Sequence, residues 1–165
     1  THTGGKGRLT KNHPVFTNEG KLYINIAPNE NLMGAKTKGT GAERELVHLF
    51  WAKEWAASRV AGSGSIKYPV PDILASKNKR MLAIECKTTK NDSQYLTKEE
   101  VDDLKTYAKI TGAEPYIAVR FAREAWRFLH PDELDVTVSQ FVVSKKLAFE
   151  HGRLLDTLLG AAKGI

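Results

Sequence analysis

The sequence predicts an α/β domain in which helices flank a mixed central β-sheet. Three observations carry this. Helical and strand-like apolar periodicities alternate along the chain instead of segregating into halves. Capping-box pairs, Thr40 with Glu43 and Thr97 with Glu100, stand ahead of 3.6-residue apolar repeats. Short apolar runs bounded by Gly, Pro, Asn and Ser recur between the helices, some close enough to be hairpin mates.

Residues 1–35 stand apart as a basic N-terminal extension with one strand or hairpin. Gly and cationic residues dominate its start, and 21–27 (KLYINIA) alternates, with Leu22, Ile24 and Ile26 on one face. Lys6, Arg8 and Lys11 offer phosphate contacts, though an inert extension fits the composition equally well. The body, 36–165, opens with a helix expected over 41–57. Ala42, Leu46, Leu49 and Phe50 form its apolar stripe, which Val47, Trp51 and Trp55 widen into the core. A short strand is expected at 58–61, then a flexible GSGS turn at 62–65. Strands at 71–75 and 81–87 follow, joined by a polar turn. After a polar connection comes a helix at 98–111, with Val101, Leu104 and Ala108 on one face and Gly112 to end it. Then come a strand at 115–121, its hairpin mate at 125–129, a further strand at 136–143 and a weak amphipathic helix at 149–159.

Composition narrows the function. The chain has 165 residues and is 41% apolar, enough for one domain with a real core. It holds no apolar run long enough for a membrane helix, and its polar, Gly-rich start shows no signal-peptide pattern, so a cytoplasmic setting is expected. Cys86 is the single cysteine, which excludes an internal disulfide and a cysteine-rich zinc site. The five histidines are scattered without metal-ligand spacing. A net charge of +6 favours a polyanionic partner, nucleic acid before membrane.

The chemistry concentrates in two strands. In 81–87 alternation puts Leu82, Ile84 and Cys86 on one face and Glu85 with Lys87 on the other. Asp72 follows Pro71, whose fixed φ makes the strand entry rigid. A hairpin joining the two strands brings Asp72 and Glu85 together. Two carboxylates with an ammonium suit Mg²⁺, which prefers oxygen ligands and keeps several waters. Such an ion can polarise a phosphodiester and activate water. Lys87 would orient that water or neutralise the phosphate, acting as a base only if its pKa fell far below the usual ~10.4. A solvent-facing strand end with a cross-strand ion pair is the plain alternative.

Several separated motifs occur in a known order: 38–46 (KGTGAEREL), 59–65 (RVAGSGS), 69–73 (PVPDI) and 84–87 (IECK). Tyr95 and Leu96 ahead of a helix, 115–121 (PYIAVRF) and 126–128 (WRF) follow. This pattern resembles the archaeal-type Holliday junction resolvases over about 36–129, more loosely beyond, and not over 1–35. The resemblance implies a restriction-endonuclease-like core and a homodimer that binds four-way junction DNA and cuts it symmetrically with Mg²⁺, for which Mn²⁺ substitutes. It places Glu43, Asp72 and Glu85 at the metal, Lys87 as the catalytic lysine and Ser65 as a serine needed for cleavage. It places Arg44 and Arg59 on junction DNA, where Lys38 and Ser63 also fall. Glu43 has a rival role in the Thr40 capping box, and Ser63 and Ser65 serve equally well as turn residues. Arg44 has no acid four residues to either side, since Thr40 and His48 stand there. An archaeal or bacterial cell, or a virus acting in the host cytoplasm, is the implied source. Two other classes share these residues: a restriction- or repair-type nuclease, and a DNA-binding module without catalysis.

Overall fold

The computed structural model describes residues 15–16, 22–23, 35–63 and 67–160, with side chains from 39 onward. Contacts divide the chain into two units, 1–32 and 33–165. In the first, β1 (Val15–Phe16) pairs antiparallel with β2 (Leu22–Tyr23).

The second unit begins with α1 (Ala35–Ala52). The helix starts one and a half turns earlier than the sequence predicts, so Thr40 lies within it and not at a cap. Glu43 is thereby relieved of the capping role. The helix also ends earlier, before 57. Glu54 takes a left-handed φ of 59°. The Trp55 N–H reaches back to the Phe50 carbonyl (3.0 Å) and the Glu54 N–H to that of Trp51 (3.0 Å), a Schellman ending. Glycine is the usual signal for this ending, and here a glutamate stands in its place. The freed residues become β3 (Ala56–Arg59).

Strands β4 (Ile73–Lys77) and β5 (Arg80–Thr89) follow, joined by a tight turn in which Asn78 adopts a left-handed φ of 55°. Next come β6 (Ser93–Thr97), α2 (Lys98–Thr111), β7 (Glu114–Phe121) and β8 (Arg127–Leu129). The main sheet has the order β3-β4-β5-β7-β8. Only β5 and β7 run parallel, because α2 carries the chain back across the sheet between them. The helix obeys the predicted bounds: Thr97 and Glu100 form the capping box and Gly112 closes the end at a left-handed φ of 74°.

Both faces of this sheet are covered. Leu46 and Phe50 of α1 pack on Ile73, Leu82, Ile84 and Phe128. On the other face Val101 and Leu104 of α2 pack on Ala83, Ile117 and Val119. Two residues of the predicted α1 stripe turn outward: Leu49 and Trp51 are about two-fifths exposed, Trp51 donating to the Ala57 carbonyl at 2.8 Å. Trp55 is buried.

The segment read as a polar connection holds β6, and the strand expected over 136–143 is two, β9 (Asp135–Val136) and β10 (Gln140–Ser144). They form a second sheet of order β6-β10-β9. Only one side of β6 is apolar, through Leu96, so its sequence shows little strand character. The last predicted helix is also two, α3 (Lys145–His151) and α4 (Leu155–Leu159). Gly152 separates them. A Cβ there would lie 2.3 Å from the Ala148 carbonyl oxygen, so the chain passes only as glycine. Among the described residues no helix is long and apolar enough to cross a membrane.

Phe50 is fully buried and contacts the rings of Trp55 and Phe128 at 6.4 and 6.3 Å. Phe50→Ala is expected to cost about 3–5 kcal/mol, read as a lower denaturant midpoint. A loss below about 1 kcal/mol would show that α1 does not anchor the sheet through this ring.

Candidate active site

The β4–β5 hairpin sets the site. Its register pairs Ile73 with Ile84, which leaves Asp72, just ahead of β4, facing the Glu85–Cys86 stretch. Asp72 is held from two sides. Its Oδ2 accepts the Cys86 N–H at 2.9 Å, and its Oδ1 accepts the Ser63 hydroxyl at 2.7 Å. Its own carbonyl accepts the Val60 N–H at 2.8 Å, which ties the strand entry to the chain leaving β3.

Glu85 and Lys87 share the α2 face of β5, as alternation predicts, while Cys86 packs with Leu82 and Ile84 on the α1 side. The Lys87 Nζ donates to Glu85 Oε1 at 2.9 Å and to Glu100 Oε1 at 2.7 Å. Glu100 comes from the first turn of α2. Its Oε2 accepts the Thr97 N–H at 2.7 Å and the Thr97 hydroxyl at 3.1 Å. Glu43, Ser63, Asp72, Glu85, Lys87 and Glu100 line one cleft of about 530 Å³.

Among the described residues this cleft holds more acid than base. Burial pushes the Glu85 carboxyl up to about 7, against the Lys87 ammonium and with the help of the Asp72 charge. Burial works to lower the Lys87 pKa. The Glu85 charge and the hydrogen bonds to Glu100 and Glu85 outweigh it and hold the ammonium above the ordinary lysine range. The two partners differ because Lys87 faces two carboxylates, whereas Glu85 faces one cation and a second acid. Lys87 therefore keeps its proton at neutral pH and does not serve as a base in this state. Burial tends to raise Glu100, but the hydrogen bonds from Lys87 and the Thr97 backbone bring it below the usual carboxylate range.

The other predicted residues divide. Glu43 lines the cleft, but its Oε2 is paired with the Arg59 Nε, so Arg59 faces an acid and Glu43 a cation. Arg44 is exposed on α1, with no ion pair or hydrogen bond among the described residues. Ser63 reaches Asp72, a contact to an acid where DNA was expected. Lys38 lies in the opening turns of α1, its side chain outside the described residues, and Ser65 lies outside them altogether. Sequence reasoning found the Thr97–Glu100 cap but not that Glu100 also reaches Lys87. The only signal was the cap itself, since the contact depends on where α2 crosses the sheet.

Asp72 and Glu85 present hard oxygen donors to one space, and Glu85 Oε2 takes no hydrogen bond among the described residues. The acid excess suits a divalent cation. Among the described residues no three His, Cys, Asp or Glu side chains converge closely enough to hold an ion unaided. The donor set thus matches an ion that retains water.

The mixed sheet, covered by helices on both faces, brings two carboxylates and a lysine together beside its central hairpin. The family model described as archaeal Holliday junction resolvase (hjc) matches residues 34–164, and the chain belongs to that family. It is 41% identical over 112 residues to the crossover junction endodeoxyribonuclease Hjc of Archaeoglobus fulgidus, covering 68% of this chain and 82% of that one. It is 34% identical over 134 residues to the protein of the same name from Sulfolobus acidocaldarius, covering 80% and 93%. The solved structure of Archaeoglobus fulgidus Hjc, a Holliday junction resolvase, superposes with a TM-score of 0.70 at 36% identity, covering 77% of this chain and 99% of that one.

The Glu85 shift has a measurable sign. Its folded-state pKa lies above the ordinary 4.5, so the folded chain binds more protons between about 4.5 and 7 and loses stability as pH rises through that window. Relative to Glu85→Gln, the wild type should lose on the order of 2–3 kcal/mol between pH 5 and pH 8 in chelator, by denaturant unfolding. A pH-independent difference would contradict the burial of this acid.

Proposed function

We propose that this chain is a structure-specific endodeoxyribonuclease that resolves four-way DNA junctions. It acts as a homodimer in the cytoplasm, by symmetric Mg²⁺-dependent hydrolysis in which Mn²⁺ substitutes. The observation that carries this is the convergence of Asp72, Glu85 and Lys87 in one cleft of a chain belonging to the archaeal resolvase family.

Asp72 and Glu85 would hold the ion together with Glu43, which lines the same cleft. When bound, the ion polarises the phosphodiester and lowers the pKa of a coordinated water. The residues do the rest. Asp72 stays aimed because Ser63 and the Cys86 N–H occupy one oxygen each. Lys87, charged and aimed into the cleft, neutralises the phosphate and orients the attacking water. Arg59 stands beside the cleft and exchanges Glu43 for a backbone phosphate as DNA arrives. Arg44, exposed and unpaired among the described residues, meets phosphate directly, and the order of family motifs gives Lys38 a phosphate contact and Ser65 a part in cleavage. Residues 1–35 form a basic extension of the nuclease domain, 36–165.

A junction has two cutting points related by approximate two-fold symmetry, and two copies of one cleft match them. Backbone contacts then dominate, so affinity falls steeply with salt.

The test compares a labelled four-way junction, a linear duplex and a flap, with and without Mg²⁺. Only the junction should be cut efficiently, and only with the ion. Asp72→Asn should bind the junction within about twofold of wild type and cut at least about 100-fold more slowly. Equal cutting of linear duplex would reject junction specificity, and wild-type cutting by Asp72→Asn would reject the site.

A further inference from the structure

We infer that Glu100 is a positioning residue for cleavage, aiming Lys87 at the scissile phosphate from the first turn of α2. This rests on the reading of the cleft as a junction-cutting site.

The geometry separates Glu100 from an ordinary cap. A capping-box glutamate needs one oxygen for the backbone N–H of the cap residue. Here Oε2 does that work, accepting from the Thr97 N–H and hydroxyl. Oε1 remains and takes the Lys87 ammonium at 2.7 Å, shorter than the 2.9 Å contact from Lys87 to Glu85. The shorter of the two Thr97 contacts, 2.7 Å from the backbone N–H, orients the carboxylate, which passes that orientation to the lysine.

Lys87 has three N–H donors. Glu85 and Glu100 take two, and the third is left for the cleft. Of the two carboxylates, Glu85 is the one that faces Asp72 across the hairpin, so it is the one that a cation held there would engage. A lysine on four flexible methylenes that loses its only anchor adopts many rotamers. Glu100 keeps the second anchor, and it lies on a different element. Neighbouring acids do not duplicate it: Glu99 and Asp103 line the same cleft but make no hydrogen bond to Lys87.

The cap and the aiming role can be separated. Glu100→Gln retains a side-chain oxygen for the Thr97 N–H, because Gln serves a capping box as Glu does. It removes the charge that holds Lys87. Thr97→Ala does the reverse: the hydroxyl half of the cap is lost while the Glu100–Lys87 contact remains.

Wild type, Glu100→Gln and Thr97→Ala should be compared by melting, junction binding, single-turnover cleavage and the ¹H–¹⁵N signal of the Lys87 ammonium, assigned by loss in Lys87→Met. Glu100→Gln should melt and bind close to wild type, cut about 10- to 100-fold more slowly and lose the Lys87 signal to solvent exchange. Thr97→Ala should melt about 2–4 °C lower yet keep both the cleavage rate and the signal. Wild-type cleavage by Glu100→Gln would overturn the inference, as would a retained Lys87 signal. So would losses of rate that track melting equally in the two variants. If wild type does not cut the junction, the functional reading fails by itself, and the ammonium signal alone decides whether Glu100 positions Lys87.

Discussion

The hydrogen bond from the Cys86 backbone N–H to Asp72 Oδ2, 2.9 Å long, is the contact on which the site depends. It joins the residue ahead of β4 to the middle of β5. The β4–β5 register sets it, and that register in turn follows from burial. Ile73 pairs with Ile84 and Ala75 with Leu82, all on the face that α1 covers. A slip of β4 by one residue would turn Ile73 and Ala75 to the wrong face. The apolar packing under α1 therefore fixes where the two carboxylates stand on the opposite face.

The cleft and the molecule carry opposite electrostatic signs. The chain is basic overall at +6, as suits a polyanion. Yet Glu43, Asp72, Glu85, Glu99, Glu100 and Asp103 line the cleft, with Lys87 as the one lining cation among the described residues. Repulsion between these acids and a phosphate backbone is relieved by a divalent cation. Burial, helped by the Asp72 charge, raises the Glu85 carboxyl, and against burial the Glu85 and Glu100 carboxylates hold the Lys87 ammonium.

The hairpin, α2 and its caps, and the α/β class were legible because each has a local signature. The two strands alternate cleanly, and the helix has a capping box and a glycine stop. The family order of motifs carried the function beyond what those residues say alone. What the sequence did not disclose depends on long-range geometry or on unusual residues. Glu54 holds a left-handed position normally given to glycine, so α1 was extended too far. Thr40 and Glu43 mimic a cap inside a helix. β6 is half polar and is a strand only because β10 returns to pair with it. Gly152 breaks a helix on account of a neighbour's carbonyl, which no local pattern shows. The Glu43–Arg59 and Lys87–Glu100 pairs join different elements and could not be read from spacing.

The cation site proposed at Asp72 and Glu85 rests on the β4–β5 hairpin. Its most direct test is an anomalous difference map from crystals of the protein soaked in Mn²⁺. A peak bridged by Asp72 and Glu85 oxygens, with Lys87 still within reach of Glu100, is the predicted result. A peak elsewhere in the cleft, or occupancy unchanged in Asp72→Asn crystals, would contradict the account.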